Sequence, residues 1–151
     1  MEQVKFTVWA TPQPQGSMKG FVLPGKNGAR ARAILTSDNS KLKPYRGDLT
    51  REAMDALRAK GIQEPMAAKH VPVRLEMKFY LAKPDSCPKK RMFPVVKPDL
   101  SKLIRASEDA LTGILYADDA QVVSYGDTGK FYGSPERVEV TLTVIDGMDL
   151  F

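Results

Sequence analysis

The sequence predicts one small α+β domain, residues 1–151, built from a mainly antiparallel or mixed sheet with two principal helices packed on it. Three observations predict it. Val71–Leu81 and Arg137–Ile145 alternate apolar and polar residues with the period of a half-buried strand. Segments following Asp48 and Asp99 instead repeat their apolar residues at helical spacing. The chain is long enough for one core, and no internal repeat or shift in composition divides it.

Val4 to Ala10 (VKFTVWA) alternates and reads as a first strand, with Trp9 expected in the core. Thr11 to Gly20 (TPQPQGSMKG) is too rich in Pro and Gly to hold a regular element. Arg30 to Thr36 (RARAILT) is a short strand, which leaves residues 11–29 as a long basic loop; loops of that length in compact domains are usually functional or mobile. Asp48 offers a helix N-cap, Leu49, Ala53, Met54 and Leu57 one apolar face, and Gly61 a stop in the C′ position. In the next strand Val71, Val73, Leu75, Met77, Phe79 and Leu81 point one way, and Arg74, Glu76, Lys78 and Tyr80 the other. A Pro- and Lys-rich connection follows. It leads into a helix with a stripe of Leu100, Leu103, Ile104, Ser107 and Leu111, opposite Lys102, Arg105 and Asp109. Ala120–Tyr125 and Arg137–Ile145 complete the sheet, the latter with Val138, Val140, Leu142 and Val144 inward.

Composition narrows the class. Hydrophobic content of 42% and charged content of 27% are those of a soluble globular protein. The single cysteine, Cys87, excludes an intramolecular disulfide and suits a reducing cytoplasm. No apolar run is long enough to span a membrane, and MEQVKFTVWA lacks the apolar region of a secretory signal. The net charge of +5 is unevenly placed. Residues 1–46 carry Lys5, Lys19, Lys26, Arg30, Arg32, Lys41, Lys43 and Arg46 against Glu2 and Asp38. Residues 107–127 carry Glu108, Asp109, Asp118, Asp119 and Asp127 and no base. A basic lobe beside an acidic pocket suits a protein that grips a polyanion and holds a cation; a basic surface without a nucleic-acid partner is the plainer alternative.

Lys97 to Val123 carries the chemistry. It places Asp99 at the mouth of a helix and the pair Asp118-Asp119 at the mouth of a strand, with an amphipathic helix between that can fold back and bring the ends together. Three converging carboxylates in a basic protein suggest a Mg²⁺-dependent site acting on phosphodiesters, with Mn²⁺ able to substitute. That hydrolysis needs a poised water, neutralised phosphate charge and a stabilised leaving oxygen, which two Mg²⁺ ions about 3.5–4 Å apart supply. Mg²⁺ takes hard oxygen ligands and keeps several waters, so a few carboxylates suffice. His70 is the lone histidine, no Cys/His spacing suits zinc, and no phosphate-binding glycine loop is present. Read without that chemistry, the Asp pair is a turn or helix cap and Asp99 an N-terminal cap.

The order and spacing of these residues resemble the RusA family of Holliday-junction resolvases, endonucleases of bacteria and their phages. The family signature runs approximately Asp-x-Asp-Asn-Leu-x-Lys, then Asp-Ala-Leu, then Asp-Asp-x-Gln-Val. This chain has Asp99-Leu100-Ser101-Lys102-Leu103-Ile104-Arg105, then Asp109-Ala110-Leu111, then Asp118-Asp119-Ala120-Gln121-Val122. The resemblance extends more loosely to the Pro12–Gly16 loop and the closing strand. It implies a homodimer that binds four-way DNA junctions and nicks two strands symmetrically, since a junction offers two equivalent strands and a dimer two equivalent sites. It further implies that Asp99 and Asp119 hold the metal with Asp118 beside them. Arg105 stands where the family has a lysine that supports transition-state charge or positions the phosphate. Arginine keeps the charge and can grip a phosphate bidentately, but it cannot share a lysine's proton-transfer role.

Ser101 departs from the pattern. The family's second aspartate is replaced by a neutral hydroxyl, which binds Mg²⁺ weakly and removes one negative charge. Either the remaining carboxylates suffice, with Glu108 or Asp109 helping through water, or the protein binds junctions and cuts slowly or not at all. A third reading is a metal-dependent nuclease for other branched or flapped DNA. Lys102 replaces a family asparagine, and with Lys19, Arg30, Arg32, Lys41, Lys43, Lys89, Lys90, Arg91 and Lys130 it is a candidate to track DNA phosphates. Met92 and Phe93, on an exposed-looking loop, are candidates for wedging at the junction centre, and Tyr45 is another aromatic near a basic segment. The ending Met148-Asp149-Leu150-Phe151 resembles the short peptide by which bacterial replication proteins dock on the sliding clamp. Without the usual leading glutamine, a tail folded on its own domain is the alternative.

Overall fold

The computed structural model describes residues 2–16, 18–26, 30–37 and 39–145, so the Met148, Leu150 and Phe151 docking reading lies outside the described residues. Strands β1 (Gln3–Val8), β4 (Val73–Leu81), β5 (Val122–Tyr125), β6 (Gly129–Tyr132) and β7 (Arg137–Val144) form one mixed sheet. β2 (Met18–Leu23) and β3 (Arg32–Ser37) form a separate antiparallel ribbon, and the helices are α1 (Leu42–Ala59) and α2 (Leu100–Leu111). The α+β expectation holds, and the sheet is mixed.

β4 organises the sheet because its alternation is the longest: Val73, Leu75, Met77 and Phe79 are fully buried, while Arg74, Glu76, Lys78 and Tyr80 on its other face are half-buried. On one side it pairs antiparallel with β7, from Val73↔Val144 to Tyr80↔Arg137, and β7 pairs antiparallel with β1. On its other side β5 and β6 run parallel to it in series, β5 along residues 73–75 and β6 along residues 78–81. In the interval the Met77 backbone N–H donates to the Thr128 hydroxyl at 3.1 Å.

The core gathers Leu49, Ala53 and Leu57 of α1, Leu103 and Leu111 of α2, and the buried residues of β1, β4 and β7. Burying side chains of this size stabilises by roughly 1.5–3 kcal/mol each. The helices meet through polar contacts as well. The Thr50 hydroxyl donates to the Ala110 carbonyl at 2.9 Å, and the Tyr45 and Ser107 hydroxyls lie 3.5 Å apart at a buried position. Gly61 stops α1 with φ +68°, as its spacing predicts, because the left-handed region penalises a Cβ.

The structure corrects several boundaries. α1 begins at Leu42, six residues before Asp48, since Pro44 occupies the first turn, where a missing N–H costs no intrahelical bond. Asp48 therefore lies inside the helix, paired with Arg51 at 3.1 Å. The stretch read as an unbroken loop, residues 11–29, contains β2, which pairs antiparallel with β3. β6 is not anticipated by the sequence pattern; four residues are too short to display a period. The last approach to β5 is a 3₁₀ turn, Asp119–Gln121, so that strand starts at Val122. Trp9 is not in the core: β1 ends at Val8 and the Trp9 side chain is 67% exposed, with the Arg137 guanidinium 5.8 Å from its ring centre. Val71 and Val144, expected inward, are half-buried, and Thr143 is the more deeply buried of the last residues of β7.

Candidate active site

Asp99 caps α2 with extended backbone angles, and its carbonyl accepts the N–H groups of Lys102 and Leu103, each at 3.1 Å. Its carboxylate makes no capping bond. The preceding strap is pinned by Lys130, whose ammonium donates to the carbonyls of Val96 at 2.7 Å and Pro98 at 2.8 Å. This lysine, expected on DNA phosphates, is engaged in placing Asp99. Ser101 and Arg105 are exposed on the helix, and Lys102 is half-buried.

At the far end of α2 the chain turns through Gly113, with φ +90°, and its N–H donates to the Tyr116 carbonyl at 2.7 Å. Tyr116 is buried, and its hydroxyl donates to the Glu108 carbonyl at 2.9 Å. The turn delivers Asp118 and Asp119 into a capping box. The Asp118 carboxylate accepts the Ala120 N–H at 3.0 Å, and the Gln121 amide oxygen accepts the Asp118 N–H at 2.9 Å. The Gln121 amide nitrogen in turn donates to the carbonyls of Ala68 at 2.8 Å and Val71 at 2.9 Å, tying the pair to the segment that leads into β4.

Four acidic side chains act on one another here. Asp118 is held below the ordinary carboxylate range, first by the Ala120 N–H and then by its hydrogen bond to Asp119. Asp119 is pushed upward, first by that shared hydrogen bond, then by desolvation and the charges of Asp118 and Asp109. Burial raises Glu108, against the Tyr125 hydroxyl that donates to its carboxylate, and the charges of Asp119 and Asp109 add to the rise. Two adjacent exposed carboxylates, with two more acids beside them, are hard oxygen donors with surplus negative charge. That donor set fits a Mg²⁺-type cation, which needs only one or two carboxylates besides its waters.

The expected convergence is only partly built. Asp118 and Asp119 stand together, with Glu108 and Asp109 close to Asp119. Asp99 sits at the opposite end of a helix whose twelve residues extend about 18 Å. Among the described residues no group of three or more His, Cys, Asp or Glu side chains is arranged to hold a metal ion. Sequence reasoning missed Gln121 and Tyr125, which position and tune the acids. The capping-box spacing from Asp118 to Gln121 was the available signal for the first.

Of the expected DNA-facing residues, Arg30, Lys89 and Lys90 are exposed and Arg91 is half-buried. Lys19 and Arg32 lie on the paired backbones of β2 and β3, and their side chains fall outside the described residues. The Lys83 ammonium staples the basic loop through the carbonyls of Lys89 at 3.3 Å and Arg91 at 2.9 Å. Met92 and Phe93 are exposed on it, whereas Tyr45 is buried between the helices. Among the described residues no helix is long and apolar enough to cross a membrane.

The chain is 28% identical over 152 residues to the uncharacterized protein YqaN of Bacillus subtilis (strain 168), an alignment covering 94% of this chain and 96% of that protein. The model of the family described as Endodeoxyribonuclease RusA matches residues 23–143. That span contains both helices, the Asp99 cap and the whole acid cluster, and the chain belongs to the RusA endodeoxyribonuclease family.

Proposed function

We propose that this protein is a Mg²⁺-dependent endonuclease that resolves four-way DNA junctions by paired symmetric nicks, acting as a homodimer. The RusA family is one of Holliday-junction-resolving endodeoxyribonucleases that depend on divalent metal ions. The single observation that carries the reading within this chain is the Asp118–Asp119 pair, clamped by Gln121 and set among Glu108 and Asp109. A bound Mg²⁺ would supply charge neutralisation and an activated water.

The residues divide the remaining work. Asp118 and Asp119 hold the cation; Asp99, implied by the family pattern as a further ligand, stands at the far end of α2 and does not reach it within one protomer. The capping box fixes the direction of Asp118, so its position costs no reorganisation when substrate arrives. Arg105, exposed on the polar face of α2, offers its guanidinium to a phosphate. Lys102 and the Lys89–Arg91 loop supply sequence-independent grip on the backbone. A bacterial cytoplasm, with the gene carried by the host or a phage, is the setting that suits such a protein.

Ser101 favours a second reading, a junction-binding protein that cuts slowly. Its exposed hydroxyl replaces a family aspartate within one turn of Asp99, and the described carboxylates do not close into a three-acid cluster. Nicking of a synthetic four-way junction in Mg²⁺, with linear duplex as control and Ser101→Asp alongside, separates the two. Symmetric nicking by the unaltered chain supports the resolvase. Junction binding with cleavage only by Ser101→Asp supports the weakened site, and equal attack on duplex removes junction specificity.

A further inference from the structure

One register position carries a row of flat side chains across the outer face of the sheet. Arg137 of β7 and Phe131 of β6 lie directly opposite Tyr80 of β4, one on either side of it. Directly opposed residues share a face, and Tyr80 is on the face turned away from the core. The β1–β7 register pairs Val8 with Val138, so the next residue, Trp9, arrives beside Arg137. The Arg137 guanidinium stands 3.9 Å from the centre of the Tyr80 ring and 5.8 Å from that of Trp9. The Tyr80 and Phe131 ring centres are 5.6 Å apart, and Phe93 extends the row from the basic loop, 6.2 Å from Phe131.

The backbone beneath leaves room for these rings. A Cβ at Gly133 would fall 2.6 Å from Tyr80 Cδ1, and one at Gly129 would fall 3.1 Å from Phe131 Cζ. The acids beside the row are already engaged. Arg137 Nε donates to Glu139 at 2.9 Å, and Glu136 accepts the Thr11 hydroxyl at 2.9 Å and the Ala82 N–H at 3.2 Å. Cations border it, since Lys89 and Lys90 are exposed on the loop that carries Phe93. At its two ends Trp9 and Phe93 remain 67% and 56% exposed. Large rings open to water at both ends of an ordered row, with cations alongside, make a surface that lacks its partner.

We propose that this row is a stacking platform for an unpaired segment of DNA strand, separate from the Asp118–Asp119 pair. Val122, just past that pair, lies beside Val73, about 24 Å along β4 from Tyr80. The family fixes the polymer as DNA. Bases in a duplex keep their faces against one another, whereas an unpaired strand offers them to aromatic rings and to a guanidinium plane. Such stacking tolerates any base, so the row adds affinity for unpaired strand without reading sequence. Neighbouring strands are about 4.8 Å apart, so the span from β1 through β7 and β4 to β6 is about 14 Å, the length of about four stacked nucleotides. Lys89 and Lys90 take phosphates of the same strand. The platform favours branched DNA with a single-stranded tail or gap over a fully paired junction, whether the acid pair cuts quickly, slowly or not at all.

The test uses the whole protein in EDTA, where no strand is cut. Trp9 is the chain's one tryptophan, so its fluorescence reports on the row directly. Two single strands of equal length are compared: oligothymidylate, and a strand of abasic deoxyribose phosphates that keeps the charge and lacks the bases. Oligothymidylate is expected to quench Trp9 and to bind about 100-fold more tightly than the abasic strand, the size of two or more base–ring stacks. Phe93→Leu and Phe131→Leu are each expected to lower that ratio about tenfold. Both should keep the wild-type affinity for the abasic strand, which shows the fold intact. A blunt duplex is expected to leave Trp9 unquenched. Equal affinity for the two single strands, quenching by duplex as strong as by oligothymidylate, or a ratio unmoved in both variants overturns the platform. A Trp9 signal that changes on dilution of the protein alone assigns this face to a second copy of the chain and overturns it as well.

Discussion

Gln121 holds Asp118 by the backbone: its amide oxygen takes the Asp118 N–H at 2.9 Å while its amide nitrogen reaches the carbonyls of Ala68 and Val71. A nearly buried side chain thus ties the acid pair to a segment some fifty residues earlier in the chain. Truncation leaves those backbone groups unpartnered. Gln121→Ala is expected to lower stability by about 2–3 kcal/mol in urea unfolding and to reduce Mg²⁺-dependent nicking of folded protein. Unchanged unfolding midpoints would mean that water replaces the amide at no cost.

Asp119 is crowded by Asp118 and Asp109, and a cation relieves that crowding. Asp119→Asn is expected to reduce nicking by about 100-fold or more, the usual size for loss of one group at a catalytic centre. Junction affinity in EDTA should be kept or tightened, because the substitution removes a negative charge that repels DNA phosphates. Gel-shift and nicking assays on one preparation separate the two effects, and a parallel fall in both would point to misfolding.

Tyr45 and Tyr116 are both raised above the ordinary phenol value by burial, the latter also by Glu108. A phenol that ionises less readily when folded contributes stability that is fully present below about pH 10 and is lost as pH rises above it. Urea midpoints should therefore be flat up to about pH 9 and fall beyond it, with phenolate absorbance appearing together with unfolding. Tyr45→Phe should flatten the fall. Full phenolate absorbance in the folded protein would contradict the burial.

Lys89 and Lys90 are exposed and Arg91 half-buried on a loop whose backbone is stapled by Lys83. Replacing all three by Ala should leave unfolding midpoints nearly unchanged while weakening junction binding. If each neutralises one phosphate, the slope of log K against log salt should become shallower by about 0.9 for every phosphate left without its cation. An unchanged slope would place the loop away from DNA.

The central strand, α2 and the Asp118-Asp119 pair are legible in the sequence because each is local: a period of two, an apolar stripe, two adjacent acids. β2 and β6 are not, since short strands form only because a partner lies beside them. Trp9 misleads because a strand pattern does not show where pairing stops. Pro44 conceals the start of α1 by resembling a helix breaker while occupying the one turn that tolerates it. At the site, Glu108 and Asp109 are visible as acids, but their closeness to Asp119 depends on the turn at Gly113. The gap between Asp99 and that cluster follows from helix rigidity, which an alternation of residue types does not express.

The Thr128 hydroxyl stands in for a backbone partner at Met77, where β5 has ended and β6 has not begun. The sheet therefore finishes on that side in two four-residue pieces and not in one continuous strand. A foreign chain seeking to extend the sheet finds no long, flat row of donors and acceptors to copy. Val123 and Tyr125 can then remain exposed beside the acid cluster without inviting fibrous self-association.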